Sequence, residues 1–304
     1  MEAKHKQSFN FQKMKINKLF SLEKKIVIIT GATGLMGKQH AHAIAAYGGI
    51  PILIDINKKA LKDFSKVINE MYNINTTGYV VNITNEESVK KNCKIIIKKY
   101  KKIDALINNA ANNPKVENTD DINFSRLENF PLDIWQKDLD VTLKGTFLCI
   151  KYYGFLISKN QNGGSIVNIS SDLGLIAPDQ RLYKKNLISS INQPVKPITY
   201  SVIKTGLIGL TRYLATYWAD QGVRCNALSP GGIYTNQSEE FVKRLSLEAW
   251  HLERSVSAIR AVVSQIKIKR VLLGGSSISF RSLFVAVRLS FSAIQTIATF
   301  HPPS

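Results

Sequence analysis

Three glycines and one acid impose the first chemical constraint on this chain. Gly31, Gly34 and Gly37 punctuate TGATGLMG directly after the apolar run IVIIT, and Asp55 ends a second apolar run 24 residues after Gly31. A glycine turn between a strand and a helix lets backbone approach a pyrophosphate. The helix N-terminus beyond it offers free N–H groups and partial positive charge to phosphate oxygens. A carboxylate at the tip of the next strand can accept hydrogen bonds from an adenosine ribose. Glycines alone would be an ordinary structural turn. With the strand before, the helix after and the acid in place, residues 24–57 read as a dinucleotide-binding βαβ unit.

The remaining elements must form the surface on which that unit sits. Residues 58–72 read as an amphipathic helix, 77–83 as a third strand and 85–102 as a helix with Thr84 as its N-cap. A fourth strand covers 103–108, a long helix 134–158, a fifth strand 163–170, a helix 200–219 and a sixth strand 222–228. Strands alternating with helices at this rhythm imply an α/β fold with a parallel sheet covered on both faces. Ligands then collect at the carboxyl ends of the strands, where Gly31, Asp55, Asn82 and Asn109 fall.

Composition narrows the class. With 304 residues the chain can bury one large core, and no uninterrupted apolar run reaches the length of a membrane span. The N-terminal 18 residues lack the apolar segment of a secretory signal. Cys93, Cys149 and Cys225 are odd in number and widely spaced, which fits reduced thiols in a cytoplasmic protein. His40 and His42 lie two apart on one helix and face different ways, so no metal site is expected. The net charge of +19 comes with lysines scattered over the chain. That pattern fits solvated faces better than a nucleic-acid stripe, so nucleic-acid binding ranks behind small-molecule chemistry.

Taken together, TGATGLMG (30–37), Asp55, NNAA (108–111), NISSDLG (168–174), Tyr200-Ser-Val-Ile-Lys204 and NALSPGGIYT (226–235) resemble the short-chain dehydrogenase/reductase family in its single-domain form. The stretches SDLGLIAPDQRLY and QPVKPITYSVIK are most similar to bacterial oxidoreductases of surface-sugar and flagellin-glycan pathways. The resemblance implies a Rossmann-type, doubly wound parallel sheet in three α/β/α layers. It also implies an NAD(P)-dependent oxidoreductase interconverting a hydroxyl and a carbonyl on a small, sugar-like substrate.

Site residues follow from the same resemblance. Ser171, Tyr200 and Lys204 would be catalytic. Cofactor contacts would come from Gly31, Thr33, Gly34, Met36, Gly37, Asp55, Asn82, Ile83, Asn109, Ala110, Tyr200, Lys204, Pro230, Gly231, Ile233 and Thr235. Tyr200 and Lys204, four apart on a helix, share a face, and an ammonium beside a phenol favours phenolate. Tyr200 would exchange a proton with the substrate oxygen while Ser171 donates a hydrogen bond to it. Asp55 welcomes a 2′-hydroxyl and repels a 2′-phosphate, so NAD is expected over NADP.

Five departures qualify this reading, the mildest being Asn82 where relatives carry an aspartate near the adenine. Leu35 stands where this branch of the family has its middle glycine, which predicts a rearranged but competent turn. Thr142 replaces an asparagine that many relatives use in a proton relay, so a nucleotide-binding protein without turnover is an alternative. Ser171 and Tyr200 are 29 residues apart, more than the family's usual spacing. The extra residues predict a loop over the substrate pocket, where Arg181, Lys184 and Lys185 could meet an anionic group. Finally, the expected last helix and strand do not appear after about Ser246. The division expected is therefore a basic arm at 1–23, a dinucleotide-binding domain at 24–245 and an atypical tail at 246–304. A shifted reading frame explains that tail better than a divergent one, and it puts the family's homo-oligomer in doubt.

Overall fold

A computed structural model of the protein describes residues 20–112, 125–185, 188–233 and 241. The expected tail, 246–304, lies outside the described residues. Six parallel strands form one sheet: β1 Ile26–Thr30, β2 Ile50–Asp55, β3 Thr77–Val80, β4 Ala105–Asn108, β5 Gly164–Ile169 and β6 Val223–Leu228. Their spatial order is β3-β2-β1-β4-β5-β6, so direction along the sheet reverses between β1 and β4. Chains leaving those two strands diverge and open the crevice in which α/β folds bind ligands.

Among the described residues seven α-helical segments accompany the sheet: α1 Leu35–Ala46, α2 Lys58–Tyr72, α3 Glu86–Tyr100, α4 Leu132–Leu139, α5 Gly145–Cys149, α6 Phe155–Ile157 and α7 Ile198–Tyr217. Alternation along β1 divides the core in two. Ile26 and Ile28 pack with Val89, Cys93, Ile96 and Tyr153 on one face. Val27 and Ile29 pack with Ala41, Ile44, Leu61 and Phe64 on the other. Both faces being covered explains why the strands read as continuous apolar runs.

Several boundaries move for identifiable reasons. Leu22, assigned from sequence to the basic arm, is buried in the core, and its N–H donates to Tyr47 O at 2.7 Å. The third strand stops at Val80, because Asn82 turns the chain: its Oδ1 accepts from the Thr84 N–H and hydroxyl. Asn85, not Thr84, caps α3, its side chain accepting from Ser88 N at 2.8 Å. The long helix expected over 134–158 begins at Leu132, and its path is interrupted by π turns at Asp140–Lys144 and Ile150–Gly154. Backbone dihedrals stay right-handed helical through both, so α4 to α6 follow one helical path with two local widenings.

Candidate active site

The glycine turn is built as its sequence demands. Gly31 takes φ +61°, and a Cβ there would lie 2.8 Å from Ala110 Cα. At Gly37 an added Cβ would sit 2.1 Å from Gly31 O, so helix and turn touch backbone to backbone. Gly34 is the N-cap of α1 without a side-chain cap, and Lys38 N donates to Gly34 O at 3.0 Å. The N–H groups of Leu35, Met36 and Gly37, in the first turn, are left for a ligand. Leu35, the residue in place of the usual glycine, is half exposed.

Asp55 ends β2 beside this turn. Its Oδ2 accepts from Thr33 N at 3.0 Å and Thr33 Oγ1 at 2.7 Å, and Oδ1 accepts from Asn57 N at 3.1 Å. The carboxylate is thereby fixed and keeps a lone pair for a ribose hydroxyl. Asn109, after β4, ties the turn from the other side: its Nδ2 donates to Thr30 O at 3.0 Å and Gly31 O at 3.1 Å. Thr30 Oγ1 accepts from the N–H groups of Asn109 and Ala110. Asn82 is exposed, while Ile83 is buried against Gly145. Vacant backbone donors at a helix N-terminus, a cradle that a Cβ would fill and a carboxylate at the ribose position together fit a nicotinamide dinucleotide.

The residues expected to be catalytic come together where β5 ends and α7 begins. Gly174, in the short 3-10 turn after β5, packs on the Lys204 backbone, where a Cβ would lie 2.8 Å from its carbonyl carbon. Ser170 Oγ donates to Lys204 O at 2.8 Å, and Lys204 Nζ donates to Ile169 O at 2.8 Å. Lys204 is buried, and burial together with Lys196 lowers its pKa to about 8. Ser171 Oγ donates to Asp172 Oδ1 at 2.7 Å. Burial holds the Tyr200 phenol above its usual value, a hydrogen bond with Ser171 opposes the rise, and the Asp172 charge adds to it. Pro230 O accepts from Asp172 N at 3.0 Å, and Gly231 lies beside the Asp172 carboxylate. Ile233 is half-buried, and Thr235 lies outside the described residues.

A buried polar brace supports α7 from behind. Asp138 of α4 accepts from Thr199 Oγ1 at 2.5 Å and from Asn112 Nδ2 at 2.6 Å, fixing the residue before Tyr200. Deeper in, Asn108 Nδ2 donates to Asn168 Oδ1 at 2.8 Å, and Asn168 Nδ2 donates to Thr211 Oγ1 at 2.9 Å. Thr142 is buried in the first π turn, and its hydroxyl has no partner among the described residues.

The long loop brings different residues to Tyr200 from those singled out in the sequence. Arg181 is exposed and paired with Asp179, its Nε donating at 2.9 Å and its Nη2 at 2.5 Å. Lys185 is exposed, and its backbone is held by Gln193. The loop cation that reaches the site is Lys196, with Nζ 3.8 Å from the centroid of the Tyr200 ring. Tyr183 joins the group electrostatically, its phenol pushed up to about 12 by burial and by Tyr200 and Asp172. No motif flags Lys196 or Tyr183. The only signals were the excess loop length and the placement of Lys196 four residues before Tyr200, just ahead of the helix.

Residues 31–273 match the family described as enoyl-(acyl carrier protein) reductase, so the match runs past residue 246, where the motifs legible in the sequence end. An NAD-dependent glycerol dehydrogenase of Listeria innocua is 30% identical over 72% of this chain and 74% of its own length. An NADP-dependent mannitol dehydrogenase of Alternaria alternata is 30% identical over 79% and 82% respectively. Among solved structures, an NAD+-bound xylitol dehydrogenase superposes with a TM-score of 0.59 at 26% identity, over 75% of this chain and 77% of that one. The fold, the gathered Ser171, Tyr200 and Lys204, and these relatives agree: the chain belongs to the short-chain dehydrogenase/reductase family of oxidoreductases.

Proposed function

We propose that the protein is an NAD-preferring dehydrogenase/reductase that interconverts a secondary alcohol and a ketone on a small polyhydroxylated substrate, with Tyr200 as acid/base. The observation that carries this reading is the convergence of Ser171, Tyr200 and Lys204 through the Gly174–Lys204 contact, at the strand ends that also carry the glycine turn. The relatives that handle glycerol, mannitol and xylitol support a polyol-like substrate.

The N–H groups at the start of α1 would hold the pyrophosphate, and Asp55 would accept from the adenosine ribose. Lys204, already anchored on Ile169 O, would steady the nicotinamide ribose. Hydride acceptance and donation are what the cofactor supplies when bound. Everything else is proton handling by the chain. During oxidation, Tyr200 Oη takes the proton of the substrate hydroxyl, and during reduction it returns one to the carbonyl oxygen. Ser171 Oγ, sharing its proton between Asp172 and Tyr200, can turn that hydrogen bond onto the substrate oxygen. Burial alone keeps the phenol protonated, so oxidation requires positive charge near the ring, which Lys204 contributes. Asp55 favours NAD because its charge and its fixed position oppose a 2′-phosphate.

Titration with NADH and NADPH followed by thermal unfolding, then a screen of polyols and ketoses, tests this reading. Saturable stabilisation by NADH, larger than by NADPH at equal concentration, with turnover of at least one polyol or ketose, is expected. Stabilisation by neither cofactor would overturn it.

A further inference from the structure

We propose that Lys196, delivered by the loop between β5 and α7, is a second cationic partner of Tyr200 that favours its phenolate through the face of the ring. The proposal rests on the reading of Tyr200 as the acid/base, and it concerns a residue outside the Tyr200–Lys204 motif. Lys196 Nζ lies 3.8 Å from the ring centroid, closer than Lys204 Nζ at 5.7 Å. Among the described residues the side-chain ammonium makes no ion pair and no hydrogen bond, and it sits over the ring face. An ammonium over an aromatic face is attracted by the ring's quadrupole. Ionisation delocalises negative charge into that ring, so the attraction is stronger for phenolate than for phenol.

The placement of Lys196 is not left to a loose loop. Lys196 N donates to Gln180 Oε1 at 2.8 Å, and Val195 N donates to Ser125 Oγ at 3.1 Å. Pro197 follows as the N-cap of α7, and its carbonyl accepts from Tyr200 N at 3.2 Å. A residue before proline is confined to extended backbone, so Lys196 enters the helix from one direction only. The titratable groups facing the pair are Asp172 from the turn after β5, Tyr183 from the loop and Lys204 from α7. Asp172 opposes ionisation of Tyr200, and the two ammonium groups exceed it by one charge. A phenolate at Tyr200 would neutralise that excess. Burial brings Lys196 down to about 8, below the raised phenol, so the two groups lose protons as a coupled pair, and a phenolate formed at Tyr200 keeps the Lys196 ammonium charged. The long loop thus replaces solvent over one face of Tyr200 with a fixed cation.

The test is a pH titration of the full chain labelled with 13Cζ-tyrosine, with the Tyr200 resonance assigned by its loss in Tyr200→Phe. Lys196→Met should raise the Tyr200 midpoint by about one pH unit, a tenfold fall in phenolate at fixed pH, and Lys196→Arg should restore most of it. A midpoint unmoved by Lys196→Met would overturn the proposal. So would a shift that Lys196→Arg does not rescue, which would mark a packing effect, or a wild-type Tyr200 that stays protonated to about pH 11. If Lys196→Met leaves the midpoint in place but weakens inhibition by gluconate relative to sorbitol, Lys196 is a substrate anion site and the proposal is wrong. NADH binding, measured on the same samples, reports separately: its absence in the wild type would defeat the dehydrogenase reading without touching the Lys196–Tyr200 coupling.

Discussion

At the scale of single residues, Asp55 would, on the proposed reading, serve fold and cofactor specificity together. It accepts three hydrogen bonds, two from Thr33 and one from Asn57, while its charge faces the expected ribose. Asp55→Asn keeps an acceptor but removes the charge and one acceptor oxygen. NADPH binding should therefore gain at least tenfold relative to NADH, with stability falling by about 1 kcal/mol. Cofactor titration and urea unfolding would measure both, and an unchanged NADH/NADPH ratio would contradict the role assigned to the carboxylate. Asp55, Tyr200 and Lys204 were legible in the sequence because each sits at a fixed offset inside one element. Lys196 and Asp138 were not. Their roles depend on a loop folding back and on a helix–helix contact, and neither leaves a periodicity or spacing to read. Arg181, the loop cation singled out in the sequence, is exposed and pairs locally with Asp179.

At the scale of elements, the start of α1 has no room for a side chain at Gly37. An added methyl at Gly37 would lie 2.1 Å from Gly31 O and 2.8 Å from Ala32 Cα, both backbone atoms that cannot swing aside. Gly37→Ala should cost about 2–3 kcal/mol and abolish NADH binding, read by urea midpoint and fluorescence titration. Leu35→Gly should change NADH affinity less than twofold, because Leu35 faces solvent. Wild-type binding by Gly37→Ala would show that the turn is not the cofactor cradle. Helices α2 and α3 were readable as elements, α2 from its amphipathic face, although the cap of α3 is Asn85 and not Thr84. The π turns were not, since widening by one residue leaves the apolar pattern nearly unchanged and is decided by packing.

At the scale of the whole molecule, stability is tied to pH at His40. Its ring is buried on α1, Nε2 has no partner among the described residues, and burial lowers its pKa to about 4 against a small opposing effect of Asn109. The unfolded chain therefore binds a proton between about pH 6.5 and 4 that the folded chain refuses. Stability should fall as pH drops through that window, by roughly 3 kcal/mol from this group. His40→Gln should flatten the slope in urea unfolding at pH 4.5 to 7; an unaltered slope would move the acid sensitivity elsewhere. The doubly wound architecture was legible because both sheet faces are buried and the strands read as apolar runs. The fit between β5 and α7 was not, since it depends on Gly174 meeting Lys204 across 30 residues of sequence. That fit underlies the central claim, and comparing Tyr200→Phe with the wild type tests it most directly. Both proteins should show the same saturable NADH binding, while turnover of any polyol or ketose accepted by the wild type falls at least a thousandfold in Tyr200→Phe. Turnover in Tyr200→Phe within tenfold of the wild type would contradict Tyr200 as the proton-transfer group.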